Sequence, residues 1–200
     1  MKASYTHTLA VAWTSSLNRY VQKEGIDLQK MTLGLEIILH NIPKLVLMTA
    51  TAAFWGILPQ TMITWLSFAC IRRYSSGLHA SNGITCTFMT LLMFVAAPIA
   101  LQNLYIGATT LTAIFAIIGL ALYKYAPADT ASRPILGSKK RARLKKKAVV
   151  TSTIVLALSL LFVDSIYYVN IVTGAIYTVI VALPLTYQIL GRSMKCESIM

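Results

Sequence analysis

His79 and Cys86 are the closest histidine and cysteine in the chain, seven residues apart in the stretch Arg72-Arg73-Tyr74-Ser75-Ser76-Gly77-Leu78-His79-Ala80-Ser81-Asn82-Gly83-Ile84-Thr85-Cys86. A cysteine becomes a nucleophile as its thiolate, and a free thiol titrates near about 8.5, so it needs a base or a positive field beside it. A histidine can be that base. On one unbroken helix two residues seven apart share a face but lie about 10 Å apart along the axis, beyond hydrogen-bond reach. The pair can meet only if the chain bends between them, and Ser81-Asn82-Gly83 is suited to a bend followed by a helix start. Cys86 is then expected in the first turn of the next helix, where the partial positive charge of the N-terminus favours a thiolate. The same two residues also read as an inert buried thiol and a hydrogen-bonded imidazole.

The elements that position this stretch belong to a membrane. Of 200 residues 56% are hydrophobic and 12% charged, with a mean hydropathy of +0.67. A soluble domain cannot hide that much apolar surface. The apolar segments are continuous runs rather than alternating ones, so helices are expected, not a barrel. The expected fold is all-α: a polytopic membrane helical bundle of about six transmembrane helices, preceded by an interfacial amphipathic helix within residues 1–24. Within a single domain spanning 1–200, residues 28–126 make up the helices around His79 and Cys86, 127–148 a basic cytoplasmic loop, and 149–191 a C-terminal helix pair.

In the N-terminal segment Tyr5, Leu9, Ala12, Trp13, Leu17, Tyr20 and Val21 recur at helical spacing, the pattern of a helix lying in the headgroup region. In the next segment Glu36, His40 and Lys44 are four apart and share a helical face. Ionisable residues inside a membrane segment must find partners. Glu36 has Arg72 or Lys44 within its expected range, and it would orient His79 if the helices brought the two together. Pro43 is expected to kink or restart this helix, and Gly56 with Pro59 to end it.

The net charge of +12 is concentrated: seven of the 18 basic residues lie between Lys139 and Lys147. In a membrane protein such a run marks a cytoplasmic loop facing anionic lipid, or a docking surface for an acidic partner. No soluble domain accompanies it, which disfavours nucleic acid. If every basic marker stays inside, the spans pair into six crossings with both termini inside and His79 and Cys86 near the cytoplasmic face. Three cysteines give no disulfide framework, and His7, His40 and His79 have no neighbouring ligands for a metal. No cofactor is expected. The N-terminal residues lack the apolar core of a cleavable signal peptide.

Three pieces, in this order along the chain, resemble the AgrB family of Gram-positive membrane endopeptidases. They are Asn41-Ile42-Pro43-Lys44-Leu45; Arg72-Arg73-Tyr74 with Gly77-Leu78-His79-Ala80 and Cys86; and Tyr125-Ala126-Pro127-Ala128 leading through Arg133-Pro134-Ile135 into the basic run. The resemblance implies a multi-pass cell-membrane cysteine endopeptidase of quorum sensing, with Cys86 as nucleophile, His79 as base, and Arg72 and Gly77 in support. It implies an AgrD-type propeptide as substrate, cut on the cytoplasmic side through an acyl-enzyme thioester and cyclised to a thiolactone or lactone. It also implies a homodimer and recognition of an acidic tail on the propeptide. Lys145, Lys146 and Lys147 are the residues expected to concentrate such a tail. The alternative is a transporter or channel with Glu36, His40 and Lys44 lining a polar path, although no internal repeat supports it.

Overall fold

The computed structural model describes residues 5–75, 83–128, 137–163, 165–183 and 186. The described elements are helical throughout: α1 (Tyr5–Val21), α2 (Gly25–Phe54), α3 (Leu58–Ser75), α4 (Gly83–Leu91), a π turn (Leu92–Ala96), α5 (Ala97–Leu101), α6 (Ala108–Tyr125), α7 (Ser138–Leu161) and α8 (Tyr168–Ala182). The α2 and α6 helices are long and apolar enough to cross a membrane, and 17% and 22% of their apolar windows are buried by protein. Such low burial, together with exposed Phe54, Ile117 and Leu120, distinguishes them from the core helices of a soluble domain. Two described helices meet that test where the sequence suggests six. The Thr85–Leu101 and Tyr168–Ala182 helices are apolar but shorter, and α7 carries its cations within the same helix as its apolar half.

Contacts gather into two compact units, residues 1–51 and 52–200. In the first, α1 turns into α2 through Gln22 and Gly25, both with positive φ. Asn18 closes the turn, donating from Nδ2 to the carbonyl of Lys23 at 3.0 Å and accepting from the Lys23 N–H at 2.8 Å. The stripe residues Leu9, Trp13, Leu17, Tyr20 and Val21 are exposed, while Ala10 and Thr14 are buried. Pro43 neither breaks nor restarts α2, which continues to Phe54. Proline removes one donor from the ladder, and the helix tolerates that loss here. Gly56 does end it. At φ +69° it donates to Ala53 at 3.1 Å, and Ile57 donates to Ala52 at 2.9 Å, the paired bonds of a Schellman cap.

The second unit is built around α3, which packs on α8 and α7, while α6 packs on α7. The core holds Ile71, Leu111, Phe115, Ile118, Leu122, Val155 and Val172. The α3–α8 seam is small and polar. Ser67 Oγ donates to the carbonyl of Ile171 at 2.7 Å, Thr64 Oγ1 meets Asn170 Oδ1 at 3.4 Å, and Thr178 Oγ1 reaches the carbonyl of Phe68 at 3.4 Å. These pairings advance together along both helices, so α3 and α8 run parallel. Gly174 lies at the centre of the seam. A Cβ there would overlap the Thr64 carbonyl oxygen and stand 2.8 Å from Ser67 Cβ and 2.9 Å from Phe68 N. Small residues allow this approach, and interhelical hydroxyl bonds add about 0.6 kcal/mol each.

The basic run is not a loop. Lys139 to Lys147 are the first turns of α7, continuous with its apolar half. Lys, Arg and Ala are good helix formers, and the run contains no Pro or Gly to stop a helix entering it from the span.

Gly174→Ala is expected to destabilise the purified chain by about 1–3 kcal/mol through overpacking, seen as a lower thermal midpoint in detergent. Gly119, where an added Cβ meets nothing within 4 Å, is the control: Gly119→Ala should leave the midpoint unchanged or raise it. Equal midpoints for the two variants would show that the seam is not tightly packed.

Candidate functional site

The stretch carrying the expected pair begins on α3, whose last residue is Ser75, and resumes at Gly83 with α4. His79 and Gly77 lie outside the described residues. Cys86 is the fourth residue of α4, in its first turn and half-buried, and Thr90 Oγ1 donates to its carbonyl at 2.8 Å. The helix therefore restarts where Asn82-Gly83 suggested. The first-turn position places the thiol near the positive end of the peptide dipoles.

An aromatic series ties this helix to the bundle. The Arg72 guanidinium lies 5.1 Å from the centroid of the Phe68 ring, one turn back on α3. Phe68 meets Phe94 edge-on at 5.2 Å, and Phe94 meets Tyr177 at 6.1 Å. Phe94 belongs to the π turn and is buried. Eight residues separate it from Cys86, about 12 Å along the axis. The extra residue of a π turn shifts the side chains beyond it around the helix, and here the turn itself directs Phe94 between α3 and α8. Aromatic pairs of this geometry contribute about 0.5–1.5 kcal/mol beyond burial. Sequence reasoning missed Phe94 and Tyr177. Only the Phe68–Arg72 spacing of four was visible locally.

The end of α3 is also where distant pieces converge. Ala128 N–H donates to the Ser75 carbonyl at 2.9 Å, bringing the buried Ala126-Pro127-Ala128 segment, with its cis Ala126–Pro127 bond, against the start of the His79 stretch. Lys147 Nζ lies 5.6 Å from the Tyr74 ring centroid, and Lys145 Nζ lies 5.2 Å from that of Tyr123. The basic start of α7 is thus packed beside the ends of α3 and α6. Lys145, Lys146 and Lys147 do not all share one helical face. Successive residues point about 100° apart on a helix, so Lys145 and Lys147 reach different rings while Lys146 is exposed. Lys140, Arg143 and Lys147 do share an exposed stripe.

In the first unit Glu36 has a partner that the sequence did not suggest. Its Oε2 lies 3.3 Å from His7 Nδ1, joining α2 to α1. Arg72 and Lys44 were the partners expected from sequence. The face shared by Glu36, His40 and Lys44 drifts by about 40° at each step of four, in keeping with an exposed His40 and a buried Lys44. Among the described residues no three of His, Cys, Asp or Glu are grouped to hold a metal.

The family model described as Accessory gene regulator B matches residues 12–189. A putative AgrB-like protein of Clostridium acetobutylicum is 37% identical over 194 residues, covering 97% of this chain and 93% of that one. A putative AgrB-like protein of Listeria monocytogenes is 40% identical over 166 residues, covering 83% and 81%. The accessory gene regulator protein B of Staphylococcus aureus is 32% identical over 177 residues, covering 84% and 91%. No solved structure matches significantly. With matches of this extent over both the basic helix and the Cys86 stretch, the chain belongs to the accessory gene regulator B (AgrB) family.

Proposed function

We propose that this protein is a membrane cysteine endopeptidase of quorum sensing that cuts a short AgrD-type propeptide on the cytoplasmic side and passes its acyl group to a cyclic product. The observation that carries the reading is the position of Cys86, half-buried in the first turn of α4 just beyond the stretch that bears His79. His79 takes the Cys86 proton, and the thiolate attacks the scissile carbonyl. The amide C–N bond breaks, His79 returns the proton to the departing amine, and the peptide is held as a thioester on Cys86. A cysteine or serine within the peptide then attacks that thioester. The Cys86 thiolate leaves and a thiolactone or lactone ring closes. A thiolate suits both steps because it is a strong nucleophile and a fair leaving group. A site at the membrane boundary helps by keeping water from the acyl-enzyme. Arg72 and Gly77 support the stretch. The reading includes six crossings, with the basic helix inside, and a homodimer.

The basic start of α7 collects the acidic tail of the propeptide. We assign this role to Lys140, Arg143 and Lys147, in place of the Lys145, Lys146 and Lys147 expected from the sequence, since their shared stripe ends beside Tyr74 at the close of α3.

Cys86→Ser and His79→Ala are each expected to abolish propeptide cleavage, followed by mass spectrometry of peptide incubated with the purified membrane protein, while expression and insertion stay normal. Cys70→Ala should remain active. Cleavage by the Cys86→Ser variant at a near-native rate would sink the assignment.

Replacing Lys140, Arg143 and Lys147 together by Gln should raise the apparent KM for propeptide about tenfold and flatten its salt dependence, leaving turnover at saturating peptide little changed. A correctly inserted variant with an unaltered KM at low salt would remove this stripe from substrate binding.

A further inference from the structure

Two helical stripes face each other across a groove of about 550 Å³ between α6 and α7. On α6 they run through Thr112, Ala116, Gly119 and Tyr123, and on α7 through Val149, Ser152 and Leu156, a line that Lys145 extends beyond the groove. With Lys145, each set is spaced i, i+4, i+7, i+11, one face of a helix. Phe115, Leu120, Val149 and Leu156 make the walls apolar. The hydroxyls of Thr112 and Thr153 turn back to the carbonyls of Ala108 and Val149, at 2.9 and 3.1 Å, and so present no free donor to the groove. Gly119 opens its middle, since a Cβ there would meet nothing within 4 Å.

One end of the groove is charged. Lys145 Nζ lies over the Tyr123 ring at 5.2 Å, closing the two stripes at the same level, and Lys146 is exposed beside it. Eleven residues separate Lys145 from Leu156, about 16 Å of helix. That is about half the roughly 30 Å hydrocarbon core of a bilayer, one leaflet deep. The outer face of α7 agrees with this placement: exposed Lys139, Arg143 and Lys146 continue in line into exposed Val150, Ile154 and Leu161, cations giving way to lipid-facing side chains where a headgroup layer would meet hydrocarbon. Water does not suit so apolar a groove, and a peptide strand would leave its backbone groups unpaired there.

From this geometry we infer that the α6–α7 groove binds one anionic phospholipid, an acyl chain lying along Gly119 and Leu156 and the headgroup phosphate held by Lys145 and Lys146. The phosphate accepts from both ammonium groups, while the Tyr123 ring keeps Lys145 at the headgroup level. Lys140 and Lys147 face the other side of α7 from Lys145, and the lipid site does not depend on the peptidase reading.

The test is native mass spectrometry of the delipidated full-length chain in detergent, titrated with dioleoyl phosphatidylglycerol or with dioleoyl phosphatidylcholine. One phosphatidylglycerol per chain is expected to be retained, with a Kd on the order of tenfold below that of phosphatidylcholine, as two interfacial lysines would give. The double variant Lys145→Gln, Lys146→Gln should lose the preference but still bind. Gly119→Leu, which fills the groove where there is room, should weaken both lipids, and Lys30→Gln, on α2, should change neither. Thermal midpoints equal to wild type identify the variants that fold. Equal retention of the two lipids by the wild-type chain would overturn the inference, as would binding that never saturates near one. A Gly119→Leu chain that keeps its lipid but changes oligomeric state would do so too, because the groove would then be an interface between two copies.

Discussion

The closeness of α3 and α8 is the constraint on which the second unit depends. Gly174 lets the α8 backbone rest against Thr64, Ser67 and Phe68, and the hydroxyls of Ser67 and Thr178 reach carbonyls across the seam. Lipid supplies little hydrophobic drive for helices to associate, since its tails are as apolar as leucine. Close packing and hydrogen bonds between helices do that work. With α8 held this tightly, Phe68 and Tyr177 both meet the ring of Phe94, which ties the helix bearing Cys86 to the bundle. The Cys86 helix is therefore positioned from the far side of a π turn.

A second consequence concerns charge. The cations of Lys139 to Lys147 sit on a helix continuous with its apolar half, so their directions are set by the rotation of α7. Packing Ala148, Ser152, Val155 and Ser159 inward forces Lys139, Arg143 and Lys146 outward, while Lys145 reaches Tyr123 and Lys147 reaches Tyr74. A flexible loop would offer its seven positive charges as an average field. A helix divides them among faces.

Several features were legible in the chain because they are local. Continuous apolar runs specify helices in a membrane, Gly56 specifies a helix end through its positive φ, and a helix begins at Gly83, which puts Cys86 in a first turn. The three motif pieces specify the family over most of the chain. Each is written within a few residues, where backbone sterics and hydrogen-bond spacing act directly.

What the sequence left open is what depends on partners far along the chain. Glu36 offered a carboxylate that any nearby cation would satisfy, and the turn at Gln22 and Gly25 brings His7 to it. Pro43 suggested a kink or a restart, yet α2 does not restart there, since one missing hydrogen bond does not outweigh the rest of a 30-residue helix. The basic run read as a loop because charge seldom continues a membrane helix, but nothing in its residue types opposes helix. Gly174 looks like any helical glycine until α3 is laid against it. By itself the sequence determined the helices, the membrane setting, the family and the place of Cys86 in its helix. Only the tertiary structure decided which faces meet, because a side chain's period is set by its own helix and its partner by the packing of another.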